Sequence, residues 1–102
     1  MSEIEQLKIE IRAFADARDW EVFHTPKNLS MAVAGEAGEL VSEFQWLTAD
    51  ESRKQNLDPK KMTDIKMEIA DVALYLFRLT DVLEVDLAEV MREKMKINEQ
   101  RF

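Results

Sequence analysis

The chain has 102 residues, 46% of them apolar, which is the size and composition of one soluble globular domain. Two Gly and two Pro are too few for the turns of a β-sandwich or barrel, and the lack of Cys excludes disulfides and thiolate metal sites. The formal net charge of −7 argues against a basic surface for a nucleic-acid backbone. A divalent cation could still bridge such a protein to a phosphate-rich small molecule.

The first ten residues, MSEIEQLKIE, are charged and lack the apolar core of a signal peptide. No apolar run approaches the length that spans a membrane. We therefore expect a cytoplasmic protein whose partners include neither a membrane nor a nucleic acid. Ala, Leu, Glu, Lys and Met are abundant and favour helix, so we predict an all-α fold in a single domain over residues 1–102.

Four helices are predicted in chain order, each opened by a recognisable start signal. The start signals are the capping box Ser2-x-x-Glu5, the pairs Thr25-Pro26 and Asp58-Pro59, and the capping box Asp86-x-x-Glu89. The helices are expected to end near Asp19, Leu47, Leu83 and the C-terminus. Residues 20–26 should form a loop, and residues 48–59 a loop or a fragment of helix. The apolar positions of the first helix are Ile4, Leu7, Ile11 and Phe14.

Two acidic pairs border the apolar stripes of the second and third helices. Glu36 and Glu39 form one pair and Glu68 and Asp71 the other, each spaced three residues apart on one helix face. Carboxylates on a core-directed face are costly unless they are paired or bind a metal, and four of them would repel one another. Mg²⁺ prefers oxygen ligands and would resolve this conflict, so the four residues are candidate metal ligands.

These carboxylates also have other interpretations. A single helical Glu is usually a solvated surface charge, and one Glu-x-x-Glu carries almost no information. A di-iron carboxylate bundle is rejected, because it requires Glu-x-x-His and neither pair has His at that spacing. Two such pairs on two long helices favour the magnesium site.

Polar and aromatic residues elsewhere have two interpretations each. Lys94 and Asn98 lie beside the apolar face of the fourth helix. The ammonium of Lys94 either extends into water or contacts a phosphate. Trp20, Trp46 and His24 either pack the core or supply flat walls for a nucleobase. Tyr75 lies on the same side of the third helix as the acidic pair.

The second and third helices also have apolar residues on their far sides. These residues are Ala34, Ala37, Val41 and Phe77. In a chain this small they predict a self-association surface, and we expect a four-helix bundle-like protomer that assembles as a dimer or a dimer of dimers. The alternative is a catalytically silent helical interaction module.

Two segments, GEAGELVSEFQW (35–46) and EIADVALYL (68–76), resemble the MazG-like nucleotide pyrophosphohydrolases. The longer segment RDWEVFHTPKNLSMAVAGEAGELVSEFQW and the ending KMKINEQRF are similar to the dCTP pyrophosphatase branch of that family. The resemblance covers roughly residues 14–101. It implies hydrolysis of a (deoxy)nucleoside triphosphate to the monophosphate and pyrophosphate, with a dCTP-like preference and a house-cleaning role in the nucleotide pool. A phosphoribosyl-ATP or dUTP hydrolase would share this chemistry and stays an alternative.

The resemblance also implies roles for individual residues and a cofactor. Mg²⁺, with Mn²⁺ as a substitute, would be held by the four carboxylates, and Glu39 is the first choice for the general base. The residues that match substrate-contacting positions are Trp20, His24, Asn28, Trp46, Lys94 and Asn98; we add Tyr75 to this set. In the family, sites are built partly from neighbouring chains of a dimer or tetramer.

Overall fold

The computed structural model describes all 102 residues, Met1–Phe102, and contains helices and turns without strands. The helices are α1 (Glu3–Asp16), α2 (Pro26–Phe44), α3 (Pro59–Val82) and α4 (Leu87–Arg101), with single 3₁₀ turns at Trp20–Val22 and Lys54–Asn56. The predicted all-α fold with four helices is confirmed. None of the helices combines the length and apolar character that a membrane span requires.

Each helix begins at the side chain that the sequence indicates. At each start, a side-chain oxygen accepts a hydrogen bond from the backbone N–H three residues later. The acceptors and distances are Ser2 (3.2 Å), Thr25 (3.2 Å), Asp58 (2.7 Å) and Asp86 (3.1 Å). These bonds satisfy N–H groups that have no partner within the helix. Pro26 and Pro59 occupy the first helical positions, where the missing N–H costs nothing.

The helix ends were predicted less accurately than the starts. α1 ends at Asp16 rather than near Asp19, because Asp19 has a left-handed backbone (φ 54°) that cannot continue a right-handed helix. α2 ends at Phe44, three residues before Leu47, and residues 45–47 form a turn. α3 ends at Val82, one residue before the predicted Leu83, and Glu84 then reverses the chain direction with φ 57°.

α3 is the central helix, and both α1 and α2 pack against it. Glu43 near the end of α2 pairs with Lys61 near the start of α3, at 3.5 Å, so these two helices are antiparallel. α1 is also antiparallel to α3, since Arg12 contacts Asp81 while the earlier Lys8 donates to the carbonyl of Val85 at 3.0 Å. The two ends of α3 are thereby bound to different helices.

The interior is small and partly polar. Ala15, Leu29 and Ile65 are its fully buried apolar residues, and they are joined by the buried polar residues Lys8, Arg78 and Thr80. On α1 the buried residues are Lys8 and Ala15. Leu7 and Phe14, two of the apolar positions of α1, are not buried and remain more than one third exposed. Both line an open cleft instead.

The fourth helix adds almost nothing to this interior. No residue of α4 is buried, and no α4 side chain makes a hydrogen bond or ion pair with α1, α2 or α3. The radius of gyration is 16.1 Å, against about 13 Å for a compact domain of this length. The packed unit of the protomer is accordingly three helices, with α4 projecting from it.

A charged network joins α1 to α3. Arg12 binds both carboxylate oxygens of Asp81, at 2.8 and 2.6 Å, and Arg78 approaches the same carboxylate at 3.4 Å. The hydrogen bond from Arg12 is the main reason that the pKa of Asp81 lies below its ordinary value. An ionised Asp81 therefore stabilises the fold above the carboxyl pKa of the unfolded chain, and this contribution is lost as the pH falls through the lowered value.

We expect Asp81→Asn to lower the free energy of unfolding at pH 7 by about 2 kcal/mol, the usual range for hydrogen bonds to a charged group. The difference from wild type should narrow below pH 4, and urea unfolding at several pH values measures it. Asp50→Asn is the matched control, because the Asp50–Arg53 pair is exposed on both sides and should contribute little. Equal losses in the two variants would contradict a structural role for Asp81.

Candidate functional site

Three carboxylates meet where α2 crosses the middle of α3. Oxygen atoms of Glu36, Glu68 and Asp71 all lie within 4.8 Å of one another, and all three side chains are half-buried. Glu36 comes from α2, while Glu68 and Asp71 are one helical turn apart on α3. The antiparallel packing brings the pair Glu68 and Asp71 of α3 together with Glu36, one member of the acidic pair of α2.

Glu68 is the electrostatically least favourable member of this cluster. Its Oε2 atom is buried and has no hydrogen-bond partner. Burial raises the pKa of Glu68, and the neighbouring charges of Asp71, Glu36, Glu39 and Glu43 raise it further. An unpartnered carboxylate oxygen surrounded by negative charge is the arrangement that a bound cation would satisfy. The all-oxygen donor set suits a hard divalent ion such as Mg²⁺.

A cleft of about 490 Å³ opens beside the acidic cluster. Glu36 and Asp71 form part of its wall, and the remainder is largely apolar and aromatic. The other lining residues come from α1, α3 and the turn between α1 and α2: Leu7, Glu10, Ile11, Phe14, Ala15, Trp20, His24, Leu74, Tyr75 and Arg78. An acidic group at one end of an apolar cleft matches a ligand that has a charged part and a flat, less polar part.

The aromatic wall of the cleft is held by neighbouring side chains. The rings of Phe14 and Trp20 pack edge to face with centroids 5.6 Å apart, and the His24 ring lies 5.9 Å from that of Trp20. The guanidinium of Arg18 covers the Phe14 ring at 3.5 Å. Contacts of this kind restrict the rings to defined orientations, as a stacking surface requires.

Arg78 is a cleft residue that the sequence analysis did not select. It is only 6% exposed, and it lines the cleft between Asp81 and His24. A usable signal was present, because Arg78 follows Asp71 and Tyr75 at spacings of seven and three residues. Residues at those spacings share a helix face.

The predicted site residues differ in where the structure places them. Glu36, Glu68, Asp71, Trp20, His24 and Tyr75 come together in the acidic cluster and its cleft. Glu39 is exposed beside the cluster, near enough to raise the pKa of Glu68. Within one protomer the structure does not bring Asn28, Trp46, Lys94 or Asn98 into the cleft. The Asn28 amide donates to the carbonyl of Phe23 at 3.0 Å, and Trp46 is 87% exposed.

Comparison with known proteins identifies the family to which this arrangement belongs. A model of the MazG-like family matches residues 32–102, which include both acidic pairs. The chain belongs to the MazG-like family. Among solved structures, a pyrophosphatase from Archaeoglobus fulgidus superposes with a TM-score of 0.90 and 35% sequence identity, covering 100% of this chain and 94% of that one.

Curated relatives of this MazG-like chain include mammalian dCTP pyrophosphatases. The chain is 43% identical over 89 residues to dCTP pyrophosphatase 1 of Homo sapiens. The aligned region covers 87% of this chain and 52% of the human protein. The Bos taurus protein of the same name is 39% identical over the same number of residues. The chain thus spans about half the length of the curated relatives that it matches.

We expect Glu68→Gln to raise the melting temperature of the metal-free protein at pH 8. A raised carboxyl pKa means that the ionised form destabilises the fold, and this penalty appears as the pH rises above the ordinary value of 4.5. The gain should therefore shrink toward pH 4, where Glu68 is neutral in both states. Thermal unfolding in excess EDTA measures the effect across this range.

The matched control for this experiment is Glu99→Gln, which removes an exposed charge on α4. It should leave the melting temperature unchanged at every pH. A Glu68→Gln variant that melts below wild type at pH 8 would show that the carboxylate is not under repulsion.

Proposed function

We propose that this chain is a Mg²⁺-dependent nucleoside triphosphate pyrophosphohydrolase, which releases the nucleoside monophosphate and pyrophosphate. The observation that carries the proposal is the cluster of Glu36, Glu68 and Asp71, with its unpartnered Glu68 oxygen, at the end of an aromatic cleft. The names of the human relative and of the archaeal structural neighbour agree with it. We further propose a preference for deoxynucleotides of dCTP type and a house-cleaning role in the nucleotide pool.

Glu36, Glu68 and Asp71 would hold the cation, with Glu39 joining them from the next turn of α2. Mg²⁺ at this position supplies positive charge that neutralises the phosphates and the developing pyrophosphate. The chain's own carboxylates orient the attacking water, and Glu39 accepts its proton because its side chain is exposed beside the cluster. Water oxygen bonds to the α-phosphorus while the bond to the bridging oxygen breaks, so pyrophosphate leaves.

The apolar part of the cleft would receive the nucleobase. Trp20 presents a partly exposed indole that is held by Phe14, and stacking of a base on such a surface contributes about 1–3 kcal/mol. Tyr75 lies between the acidic cluster and this aromatic end on the same face of α3. This layout separates the phosphate-binding part of the site from the base-binding part.

We propose that the protein works as a dimer or a dimer of dimers. The accessible surface of one chain is 7837 Å², about 1,900 Å² more than the roughly 5,900 Å² expected for a compact monomer of this mass. A standard interface removes about 800 Å² from each partner, so the excess is enough for one large interface or two standard ones. Assembly would also give Trp46, Lys94 and Asn98 a site to complete, in a neighbouring chain.

Hydrolysis of each NTP and dNTP with Mg²⁺, followed by identification of the products, tests the proposed activity. We expect monophosphate and pyrophosphate from wild type, with dCTP among the preferred substrates. Asp71→Asn should lower kcat/KM more than about 100-fold, because removal of a direct ligand costs more than the 10–100-fold typical of an outer-shell partner. Its melting temperature without metal should not fall, since one repelling charge has been removed.

Asp50→Asn, on the exposed loop after α2, is the control for this assay and should retain wild-type turnover. Full activity in purified Asp71→Asn would remove that residue from the site. A protein that hydrolyses none of the nucleotides and shows no Mg²⁺-linked thermal shift would instead be a silent interaction module.

Light scattering tests the proposed assembly. At micromolar concentration we expect a particle of about two or four times the 11.9 kDa chain mass. Met95→Glu places a charge on the exposed apolar surface of α4 and should shift the mass toward that of one chain. Gln100→Glu adds the same charge elsewhere on α4 and should not. A wild-type particle of 11.9 kDa would contradict the assembly.

A further inference from the structure

Arg78 makes a directed contact with the only histidine of the chain. Its Nε atom donates to His24 Nδ1 at 3.1 Å, and its Nη1 atom reaches the Asp81 carboxylate at 3.4 Å. The Asp81 carboxylate in turn accepts hydrogen bonds from Nε and Nη2 of Arg12. The guanidinium is thus fixed on one side by a carboxylate that is itself anchored, and its Nε–H is aimed at the imidazole.

This contact determines where the proton of His24 resides. Arg is protonated at all accessible pH values and its Nε–H can act only as a donor. Nδ1 must then be the unprotonated nitrogen of a neutral imidazole, which leaves the proton on Nε2. Burial, and then the positive charge of Arg78, lower the pKa of His24, so the neutral ring prevails at pH 7. Nε2 has no hydrogen-bond partner in the chain.

The position of His24 in the cleft indicates which part of a ligand this N–H would meet. Arg78 lies seven residues after Asp71 on α3, which is about 10 Å along the helix axis. His24 is bonded to Arg78 and lies beside Trp20, so it belongs to the aromatic end of the cleft and not to the acidic cluster. A nucleotide whose phosphates are at the carboxylates would direct its base, and not its phosphates, toward this end.

We propose that Arg78 is a positioning residue that holds His24 as the Nε2–H tautomer, and that this N–H donates to an acceptor atom on the base of the bound nucleotide. The inference rests on the proposed function, since it assumes a nucleotide in the cleft. A base carbonyl or an unprotonated ring nitrogen satisfies the donor, whereas a base that presents only an amino group leaves it unpaired. His24 thereby contributes to base selection instead of acting as a cation for phosphate.

The first test is the protonation state of His24, which can be read without substrate. Because the chain has one histidine, its two ring nitrogens are assigned directly in a long-range ¹H–¹⁵N spectrum at pH 8. Wild type should show a protonated Nε2 and an unprotonated Nδ1. Arg78→Met should give a mixture of tautomers, and so should Arg78→Lys, which keeps the charge beside Asp81 but lacks the planar Nε–H. A protonated Nδ1 in wild type would overturn the proposal.

Kinetics with the preferred nucleotide and Mg²⁺ form the second test. Arg78→Lys and His24→Leu should each raise KM about tenfold, the effect of one lost hydrogen bond, with a smaller change in kcat. His24→Gln should restore a KM near that of wild type, because its amide N–H can replace the imidazole Nε2–H. A merely structural role predicts that Gln and Leu at position 24 are equally impaired, and that result would overturn the donor role.

Binding is measured apart from turnover so that the two proposals fail separately. The probe is an α,β-imido deoxynucleoside triphosphate with Mg²⁺, added to ¹⁵N-labelled protein. Binding that shifts the His24 Nε2–H signal supports the donor role even if hydrolysis is absent, in which case only the pyrophosphohydrolase assignment is lost. Binding that leaves this signal unchanged overturns the donor role, whatever the turnover.

Discussion

Close packing of α2 against α3 forces like charges together, and the remainder of the site is arranged around this conflict. Glu36, Glu68 and Asp71 meet within 4.8 Å, and the inner oxygen of Glu68 is buried without a hydrogen-bond donor from the chain. Such a group opposes folding in the absence of a counter-charge. The three carboxylates therefore lower the stability of the helix pair, and we attribute their presence to the proposed function.

α3 connects the two ends of the proposed site because its polar residues recur every three or four positions. Glu68, Asp71, Tyr75, Arg78 and Asp81 form a row in which each residue lies three or four positions after the previous one and next to it on the helix surface. α2 packs against the acidic part of this row, and α1 binds its other end through the hydrogen bonds of Arg12 with Asp81. The cation-binding part and the base-binding part are therefore held at a constant separation by one rigid element.

Sequence analysis predicted the helix starts and the acidic cluster, because both follow from local spacing and side-chain chemistry. Ser2, Thr25, Asp58 and Asp86 cap their helices irrespective of the tertiary structure. The buried face of α1 was not predictable in this way. The spacing of Ile4, Leu7, Ile11 and Phe14 indicated only a helix, whereas Lys8 is buried through a bond to a carbonyl 77 residues away.

Arg78 escaped selection for a similar reason. An arginine on a helix is ordinarily regarded as a side chain whose guanidinium reaches water. Its role depends on Asp81 and His24, and the contact with His24 spans 54 residues. Local periodicity carries no information about such a pairing. Trp46, Lys94 and Asn98 do not line the cleft in the single chain, and sequence spacing carries no information about contacts that they would make in the proposed assembly.

The weak attachment of α4 has a consequence for local stability. A helix with no buried residue opens at little free-energy cost, well below that of global unfolding, whereas α3 opens only with the core. Amide hydrogens of residues 87–101 would then exchange with solvent far sooner than those of α3 in an isolated chain. Slow exchange in α4 would report directly on its coverage by another subunit, and exchange that slows further with nucleotide would place Lys94 and Asn98 at a shared site.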